Sequence, residues 1–201
     1  MKKQFIILFV FMTFAVTLKA QGYQVGDTAR DFKLKNIDGK YVSMADYKKA
    51  KGIILVFTCN PCPYAKLYEQ RILDLDKKYA SQGYPVIAIN PNDPEQSKDD
   101  AFDKLQQRAK EKGYTFPYLV DETQDISKAY GAKATPHVYL LKKYGDKFTV
   151  EYIGAVDDDT QNTNENKVKH VENAIQALEA GKKPAVTNTK AIGCTIKWKK
   201  A

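Results

Sequence analysis

The 201-residue chain is poor in several residues that mark common functional classes. Its only arginines are Arg30, Arg71 and Arg108, and no basic cluster alternates with aromatic residues, so nucleic-acid binding is not expected despite a formal net charge of +8. The chain has three cysteines and two histidines. One Cys-x-x-Cys without a second pair of ligands gives little support for a zinc site. No internal repeat is visible, which favours a single domain of ordinary size.

Long apolar runs are also scarce. One uncharged, mostly apolar stretch, residues 5–18, follows Lys2 and Lys3 and is shorter than the ~20 residues of a membrane span. With Ala20 at a plausible cleavage site, this pattern predicts a secretory signal peptide at residues 1–20. We therefore expect a periplasmic or secreted protein with no stable membrane span after cleavage. The alternative is a segment that is retained as an N-terminal anchor.

The most informative motif is a Cys-x-x-Cys, residues 59–62, that stands between an apolar run and an amphipathic pattern. Residues 53–57 are continuously apolar, which is typical of a strand buried on both faces. Pro63 and the apolar residues that follow at spacings of three and four predict a helix over residues 63–81. The N-terminus of a helix stabilises a thiolate. Two cysteines at such a junction can therefore close a disulfide and reopen it.

The rest of the chain predicts alternating strands and helices. Strands are predicted at residues 86–90, 116–120, 137–142 and 148–153, helices at 97–112, 125–130 and 168–178, and a short hairpin around Asp38-Gly39. Ser97 and Asp100 form the pattern of a capping box. The order of elements favours parallel pairs followed by an antiparallel hairpin. We expect residues 21–183 to form an α/β domain in which helices flank both faces of a central mixed β-sheet. The C-terminal tail, residues 184–201, is expected to pack on this domain.

This layout resembles the thioredoxin fold, because the cysteine pair stands at the first strand-to-helix junction and Ala134-Thr135-Pro136 precedes a late strand. Within that fold the chain resembles the peroxiredoxin-like branch of the alkyl hydroperoxide reductase and thiol-specific antioxidant superfamily, the redoxins. The residues that carry this resemblance are Val25-Gly26-Asp27, Asp31-Phe32 and Tyr130-Gly131, and the cysteine pair and the tail Gly193–Trp198 are similar to a subgroup of thioredoxin-domain proteins. The resemblance implies an N-terminal β-hairpin extension and a cis proline at Pro136 that faces the disulfide.

The cysteine pair and the resemblance together indicate an exported thiol–disulfide oxidoreductase of the cell's redox homeostasis. Cys59 is the expected nucleophile, and Cys62 is the expected resolving thiol. The residues expected to bind substrate or to support the pair are Asn60, Pro61, Thr135 and Pro136. The expected partners are protein disulfides or dithiols and a redox-recycling protein, and neither a cofactor nor a metal is expected.

Two alternatives remain open. A thiol-dependent peroxidase with antioxidant activity would suit the superfamily, but its Thr-x-x-Cys pattern is broken because Cys59 stands three residues before Cys62. The activating arginine is also missing, since none follows Arg108. A copper-binding thioredoxin-like carrier would combine the pair with His137, although such carriers space their cysteines one residue further apart.

The third cysteine, Cys194, has two interpretations. It is a third redox cysteine, or it is a small buried residue that fixes the tail. The second interpretation is favoured because Ile196 and Trp198 alternate with lysines, as in a half-buried strand.

The buried acid that thioredoxin-type proteins place near the pair is missing from residues 53–57. Glu69, Asp121 and Glu122 are the substitutes, and each is more simply explained as a surface carboxylate.

Overall fold

The computed structural model describes residues 22–200, and the predicted signal peptide at residues 1–20 lies outside them. The strands are β1 Lys33–Asn36, β2 Tyr41–Ser43, β3 Gly52–Phe57, β4 Val86–Asn90, β5 Tyr118–Val120, β6 Ala134–Thr135, β7 His137–Tyr144, β8 Lys147–Gly154 and β9 Cys194–Thr195. The helices are α1 Pro63–Tyr79, α2 Phe102–Lys112, α3 Asp125–Tyr130 and α4 His170–Glu179. None of the helices in this part of the chain is long and apolar enough to cross a membrane.

The main sheet has seven strands in the order β2-β1-β5-β4-β3-β7-β8. Strands β3, β4 and β5 run parallel, and the remaining pairs are antiparallel. Every residue of β3 is buried, because this strand has neighbours on both edges and packed layers on both faces. The expected mixed sheet and its N-terminal hairpin, β1–β2, are confirmed.

Two apolar clusters cover the two faces of the sheet. Successive side chains of a strand point to opposite faces, so Ile54 and Val56 join one cluster, and Ile53 and Leu55 join the other. Helices α1, α2 and α4 pack on the first face, and helix α3 with the N-terminal segment packs on the second. Helices therefore lie on both faces, as expected, and the carboxyl end of β3 lies between two packed layers.

The predicted capping box at residues 97–100 is wrong. Residues Lys98–Asp100 form a separate 3-10 turn, and helix α2 begins at Phe102 after Ala101. The Ser97 hydroxyl instead donates to a carboxylate oxygen of Asp100 at 2.6 Å. Asp100 is 3% exposed. Its carboxylate accepts hydrogen bonds from groups in other segments, described below, and this holds the turn apart from the helix.

The C-terminal residues return to the carboxyl end of the sheet. Strand β9 pairs antiparallel with β6, and Thr135 and Cys194 are register partners. Ile196 is buried in the second apolar cluster, whereas Trp198 is 39% exposed. The strand ends at Thr195, so the expected half-buried strand through Trp198 is wrong. The backbone beyond it is held by side chains instead, because the Lys197 amide donates to Asn92 Oδ1 at 2.8 Å.

Candidate active site

The two paired cysteines lie where β3 meets α1. The Thr58 amide still donates to the Ile89 carbonyl at 2.9 Å, which extends the β3–β4 ladder by one residue. Cys62 is the N-cap residue of α1, and Pro63 occupies the first helical position, where a missing N–H costs nothing. Cys59 is 6% exposed and Cys62 is 3% exposed, and both are free thiols. The partial positive charge of the helix N-terminus therefore acts on buried sulfurs.

Thr135 contacts both of these thiols. Its hydroxyl lies 3.0 Å from Cys59 Sγ, and its carbonyl oxygen accepts a hydrogen bond from Cys62 Sγ at 3.1 Å. The Thr135–Pro136 peptide bond is cis, as the resemblance implies. Both residues are buried, so the segment expected to support the pair is adjacent to it.

The two residues between the cysteines are placed differently. The Asn60 amide donates to Asp100 Oδ1 at 2.8 Å, and its side-chain amide donates to the carbonyls of Asp99 and Lys104, both at 3.0 Å. Asn60 is therefore buried and anchors the loop. Pro61 is partly exposed at the rim.

Asp100 is a residue of this site that sequence reasoning missed. Besides the Ser97 hydroxyl and the Asn60 amide, its carboxylate accepts from Asn90 Nδ2 at 2.7 Å and from Asn92 Nδ2 at 2.8 Å. Four donors from three segments thus converge on one buried carboxylate. The only sequence signal was the unusual density of Asn and Asp in residues 90–100.

Glu69 is buried beside the pair, so its assignment to the surface is wrong. The Arg108 guanidinium donates to both Glu69 carboxylate oxygens at 2.9 Å, and the Tyr114 hydroxyl donates to one of them at 2.7 Å. Glu69 and Cys59 line the same internal cavity of about 10 Å³, which is about the smallest volume that holds one water. The acid missing from β3 is therefore supplied by α1, whose residue Glu69 lies two turns after the cysteine loop.

Asp121 is also buried, contrary to expectation, and accepts from the amide and hydroxyl of Ser127 in α3. Its role is local, because both bonds hold the first turn of that helix. Glu122 is exposed, as expected of a surface carboxylate. Tyr64, the second residue of α1, is 37% exposed and points away from the sheet.

The pKa values of the two thiols move in opposite directions. Their interaction with each other, the largest effect on each, lowers the pKa of Cys62 to about 4 and, together with burial, raises the pKa of Cys59 far above the ordinary range. Thr135 acts in the opposite direction, because its hydroxyl lowers the pKa of Cys59 and its carbonyl next to Cys62 favours a protonated sulfur there. In such a coupled pair one proton leaves readily and the other is held by both sulfurs.

Cys194 joins the other two cysteines. Its side chain packs against the cluster of Cys59, Cys62 and Ala65. It is more exposed than either of the paired thiols, which contradicts the favoured interpretation of a buried residue. Burial and the neighbouring Cys62 thiol raise the pKa of Cys194 to about 11.

His137, which a copper carrier would need, faces a different cavity. It is 6% exposed, packs against Tyr139 with the two rings tilted by 53°, and lines a cavity of about 550 Å³ with Lys133 and Tyr130, which none of the cysteines lines. Burial, and after it the charge of Lys133, lowers the pKa of His137 to about 4. Within residues 22–200, no group of three or more His, Cys, Asp or Glu residues has the arrangement of a metal site.

Comparison with protein families places most of the described residues in one family. Residues 25–153 match the AhpC/TSA family. This segment covers β1 to β8 and includes Cys59, Cys62 and Thr135, whereas Cys194 lies outside it.

Two solved structures resemble the whole described fold. An uncharacterized conserved protein from Geobacillus kaustophilus is 35% identical, with a TM-score of 0.81 over 89% of this chain and 94% of that one. A hypothetical protein from Sinorhizobium meliloti 1021 is 30% identical, with a TM-score of 0.82 over 90% of this chain and 98% of that one. A putative thioredoxin from Neisseria meningitidis is 25% identical, with a TM-score of 0.50 over 61% of this chain and 77% of that one, and the expected thioredoxin-like α/β architecture is confirmed.

Among curated proteins, the chain is similar to the thiol-disulfide oxidoreductase ResA of Geobacillus thermodenitrificans. The two are 29% identical over 124 residues. The aligned part covers 60% of this chain and 65% of that protein, so the chain spans just under two thirds of its relative's length.

Proposed function

Because the chain belongs to the AhpC/TSA family, we propose that it is a thiol–disulfide oxidoreductase whose Cys59 and Cys62 exchange disulfides with protein or small-thiol substrates. The similarity to a thiol-disulfide oxidoreductase supports this reaction class. The observation that carries the proposal is the arrangement of Cys59 and Cys62 at the N-terminus of α1, with both sulfurs hydrogen-bonded to Thr135.

The reaction is an exchange of sulfur–sulfur bonds. The Cys59 thiolate attacks one sulfur of a substrate disulfide, a Cys59–substrate bond forms, and the other substrate sulfur leaves as a thiolate that takes up a proton. Cys62 then attacks Cys59, the substrate's second thiol is released, and the Cys59–Cys62 disulfide remains. The protein is oxidised by two electrons and the substrate is reduced by two. The reverse sequence donates a disulfide.

Cys59 is the proposed nucleophile because the sulfur of Cys62 is more enclosed. Cys62 lies against the Thr135 carbonyl and packs with both other cysteines. When Cys62 is protonated, the Thr135 hydroxyl can donate to the Cys59 thiolate, which stabilises the thiolate. Glu69 and Cys59 line the same cavity, and a water bound there would give protons a short path to and from the pair.

A peroxidase is supported less well. Peroxide activation needs a cationic donor at the reacting sulfur. Arg108 is the only arginine after helix α1, and its Nε and one of its two terminal nitrogens donate to the two carboxylate oxygens of Glu69. Fast peroxide reduction is therefore not expected, although an accessible thiolate is slowly oxidised by peroxide.

A titration of the protein in glutathione buffers tests the proposal. Each cysteine is alkylated and quantified by mass spectrometry at every ratio of reduced to oxidised glutathione. We expect Cys59 and Cys62 to lose and regain reactivity together, and we expect a Cys194→Ser variant to retain this behaviour. The proposal is wrong if the pair never cycles.

A trapping experiment tests the order of attack. In a Cys62→Ser, Cys194→Ser variant the mixed disulfide on Cys59 has no thiol to resolve it and accumulates with a disulfide-containing peptide. The matched Cys59→Ser, Cys194→Ser variant keeps only the enclosed Cys62 and is expected to trap at least about tenfold more slowly. Equal trapping by the two variants would make Cys62 an equally good nucleophile.

We further propose that residues 1–20 direct export and are removed, so that the domain at residues 21–183 and its tail at 184–201 work in the periplasm or outside the cell. Disulfide exchange with protein substrates and with a redox-recycling partner suits such an oxidising compartment. The mass of the protein recovered from the exported fraction checks this, because cleavage after Ala20 gives a chain that begins at Gln21.

A further inference from the structure

All three cysteines lie next to one residue, Thr135. Its hydroxyl lies 3.0 Å from Cys59 Sγ, its carbonyl oxygen accepts from Cys62 Sγ at 3.1 Å, and its backbone is the register partner of Cys194. The side chain of Cys194 packs against the Cys59–Cys62 cluster. The three cysteines therefore approach the same residue from two segments: the β3–α1 loop supplies two of them, and β9 supplies the third.

Cys62 and the strand that carries Cys194 meet at one atom, the Thr135 carbonyl oxygen. Cys62 Sγ donates to this oxygen at 3.1 Å, and Gly193, next to Cys194, packs against it, whereas Cys59 Sγ lies at the Thr135 hydroxyl. Cys62 therefore lies between Cys59 and Cys194. Cys194 is more accessible to solvent than Cys62, since Cys62 is 3% exposed and Cys194 is partly exposed. A sulfur in the middle can bond to either neighbour.

The tail that carries Cys194 is fitted closely against this site. A Cβ atom added to Gly193 would lie 2.2 Å from the Thr135 carbonyl oxygen, so only glycine allows β9 to approach this near. The Asp93 amide donates to the Lys197 carbonyl at 2.9 Å, and Ile196 is buried in the second apolar cluster. Contacts of the residues before and after Cys194 therefore hold it beside Cys62.

We propose that Cys194 is a third redox-active cysteine, which exchanges into the disulfide at Cys62 and is the site where a recycling thiol attacks. This inference rests on the proposed function, since it requires that Cys59 and Cys62 form a disulfide in the catalytic cycle. It replaces the interpretation of Cys194 as a passive residue that fixes the tail.

The step is an internal exchange that needs no external oxidant. The Cys194 thiolate attacks Cys62 Sγ, the Cys59–Cys62 bond breaks, and the Cys62–Cys194 bond forms. Cys59 leaves as a thiolate and takes up the proton that Cys194 released. The number of disulfides is unchanged. A reducing thiol, either a dithiol protein or glutathione, then attacks the more exposed Cys194 sulfur, and Cys62 is released as a thiolate. A second reductant thiol completes the two-electron reduction and restores Cys194.

Peptide mapping after mild oxidation tests the new bond. Cys59 and Cys62 lie in one tryptic peptide, residues 52–66, and Cys194 lies in another, residues 191–197. Oxidation is performed in the glutathione buffer at which half of the wild-type pair is oxidised, and acid stops the exchange. In Cys59→Ser we expect most of the protein to carry the cross-linked pair of peptides. In the matched Cys62→Ser variant we expect at least about tenfold less of the cross-linked peptides, because Cys59 is further from Cys194 than Cys62 is.

The reduction rate gives a second readout that does not depend on the folding of Cys59→Ser. Oxidised wild type and oxidised Cys194→Ser are mixed with glutathione, and the thiols of residues 52–66 are quantified with time. We expect reduction of Cys194→Ser to be slower by about tenfold, because the reductant must then reach a buried sulfur.

The possible results separate this inference from the proposed function. If wild type cycles its Cys59–Cys62 disulfide but Cys59→Ser forms no internal cross-link and Cys194→Ser is reduced at the wild-type rate, Cys194 has no redox role. An equal yield of cross-link in Cys59→Ser and Cys62→Ser also overturns the inference, since Cys62 would not be the specific partner. If wild type forms no reversible Cys59–Cys62 disulfide, the proposed function itself fails.

Discussion

The loop of Cys59 and Cys62 and the tail of Cys194 reach the same residue, Thr135, but they are attached to the molecule in different ways. The loop continues directly from the central strand β3 into the 17-residue helix α1. The tail forms a two-residue strand at the edge, β9, and the residues after it are held mainly through hydrogen bonds of their backbone to side chains. One thiol pair is therefore part of the folded core, and the third thiol belongs to a segment docked on it.

This difference separates two functions that a redox site needs. A fixed pair keeps its two sulfurs at bonding distance through repeated cycles. A docked segment can detach at a cost below that of global unfolding, so its thiol can meet an external partner. The following changes test the difference from the largest expected effect to the smallest.

Replacing Asp100 with Asn should weaken the fixed loop most. The substitution puts an amide donor among the four donors that converge on the carboxylate. Leaving buried polar partners unsatisfied is expected to cost about 3–5 kcal/mol in the free energy of unfolding. Urea denaturation of the reduced protein measures it.

Asp99→Asn is the matched control, because Asp99 is exposed on the same 3-10 turn and contacts Asn60 only through its backbone carbonyl. We expect it to change stability by less than about 0.5 kcal/mol. Equal effects of the two substitutions would mean that Asp100 does not anchor the loop.

A pair of isoleucine truncations compares the helix directly with the tail. Ile72 in α1 is 3% exposed, and Ile196 in the tail is 5% exposed. Ile72→Ala should lower the free energy of unfolding by about 2–5 kcal/mol, as in other cores. Ile196→Ala should lower it by only about 1 kcal/mol, because the tail can detach and the loss is limited to its docking energy.

The alkylation rate of Cys194 supplies the second half of that test. Ile196→Ala should raise it about tenfold, whereas Ile72→Ala should leave it close to the wild-type rate in the folded range. If the two truncations cost the same stability, the tail is as much a part of the core as α1.

Acid should lower the stability of the folded protein through His137, the first residue of strand β7, which follows Pro136 directly. The pKa of His137 is about 4 in the folded protein, below the ordinary value of about 6.5. The unfolded chain therefore binds the proton more readily, and the stability contributed by the neutral ring is complete above about pH 6.5 and is lost as pH falls toward 4.

His137→Phe keeps an aromatic ring against Tyr139 and removes this titration. Between pH 7 and 5 we expect the wild type to lose about 1–2 kcal/mol more of its unfolding free energy than the variant. Thermal or urea denaturation at several pH values measures the difference. Parallel pH profiles would show that His137 is not held neutral.

The parts of the site that were predicted from the sequence are those formed by residues within one continuous segment. The apolar run of β3, the cysteine spacing and the helical pattern of α1 all lie within residues 53–79, and the structure contains each of them. The cis proline followed from the resemblance, because a single Thr-Pro does not prove its isomer.

The parts that were missed depend on long-range contacts. Asp100 reaches Asn60 across 40 residues, and Arg108 reaches Glu69 across 39. A local pattern assigned Asp100 to a capping box and Glu69 to the surface, since burial of a carboxylate depends on donors that only the folded chain brings together. The exposure of Cys194 was missed for the same reason, because β9 pairs with a two-residue strand at the edge.

Gly193→Ala should have the smallest effect on stability and tests the docked side alone. The added methyl group would overlap the Thr135 carbonyl oxygen, so β9 must move away from β6. Because the tail can shift without opening the core, we expect a loss below about 1 kcal/mol in the free energy of unfolding. The Cys59–Cys62 disulfide should form as in wild type, whereas the yield of the Cys62–Cys194 bond should fall about tenfold, since the two sulfurs are no longer held close together.

Gly181→Ala is the control, because Gly181 follows the end of α4, has open space around it and has a positive φ like many helix ends. Its cost in stability comes from backbone strain, and we expect it to leave the ratio of the two disulfides unchanged. A Gly193→Ala protein that keeps the wild-type ratio of the two disulfides would show that contact with Thr135 is not what directs Cys194 to Cys62.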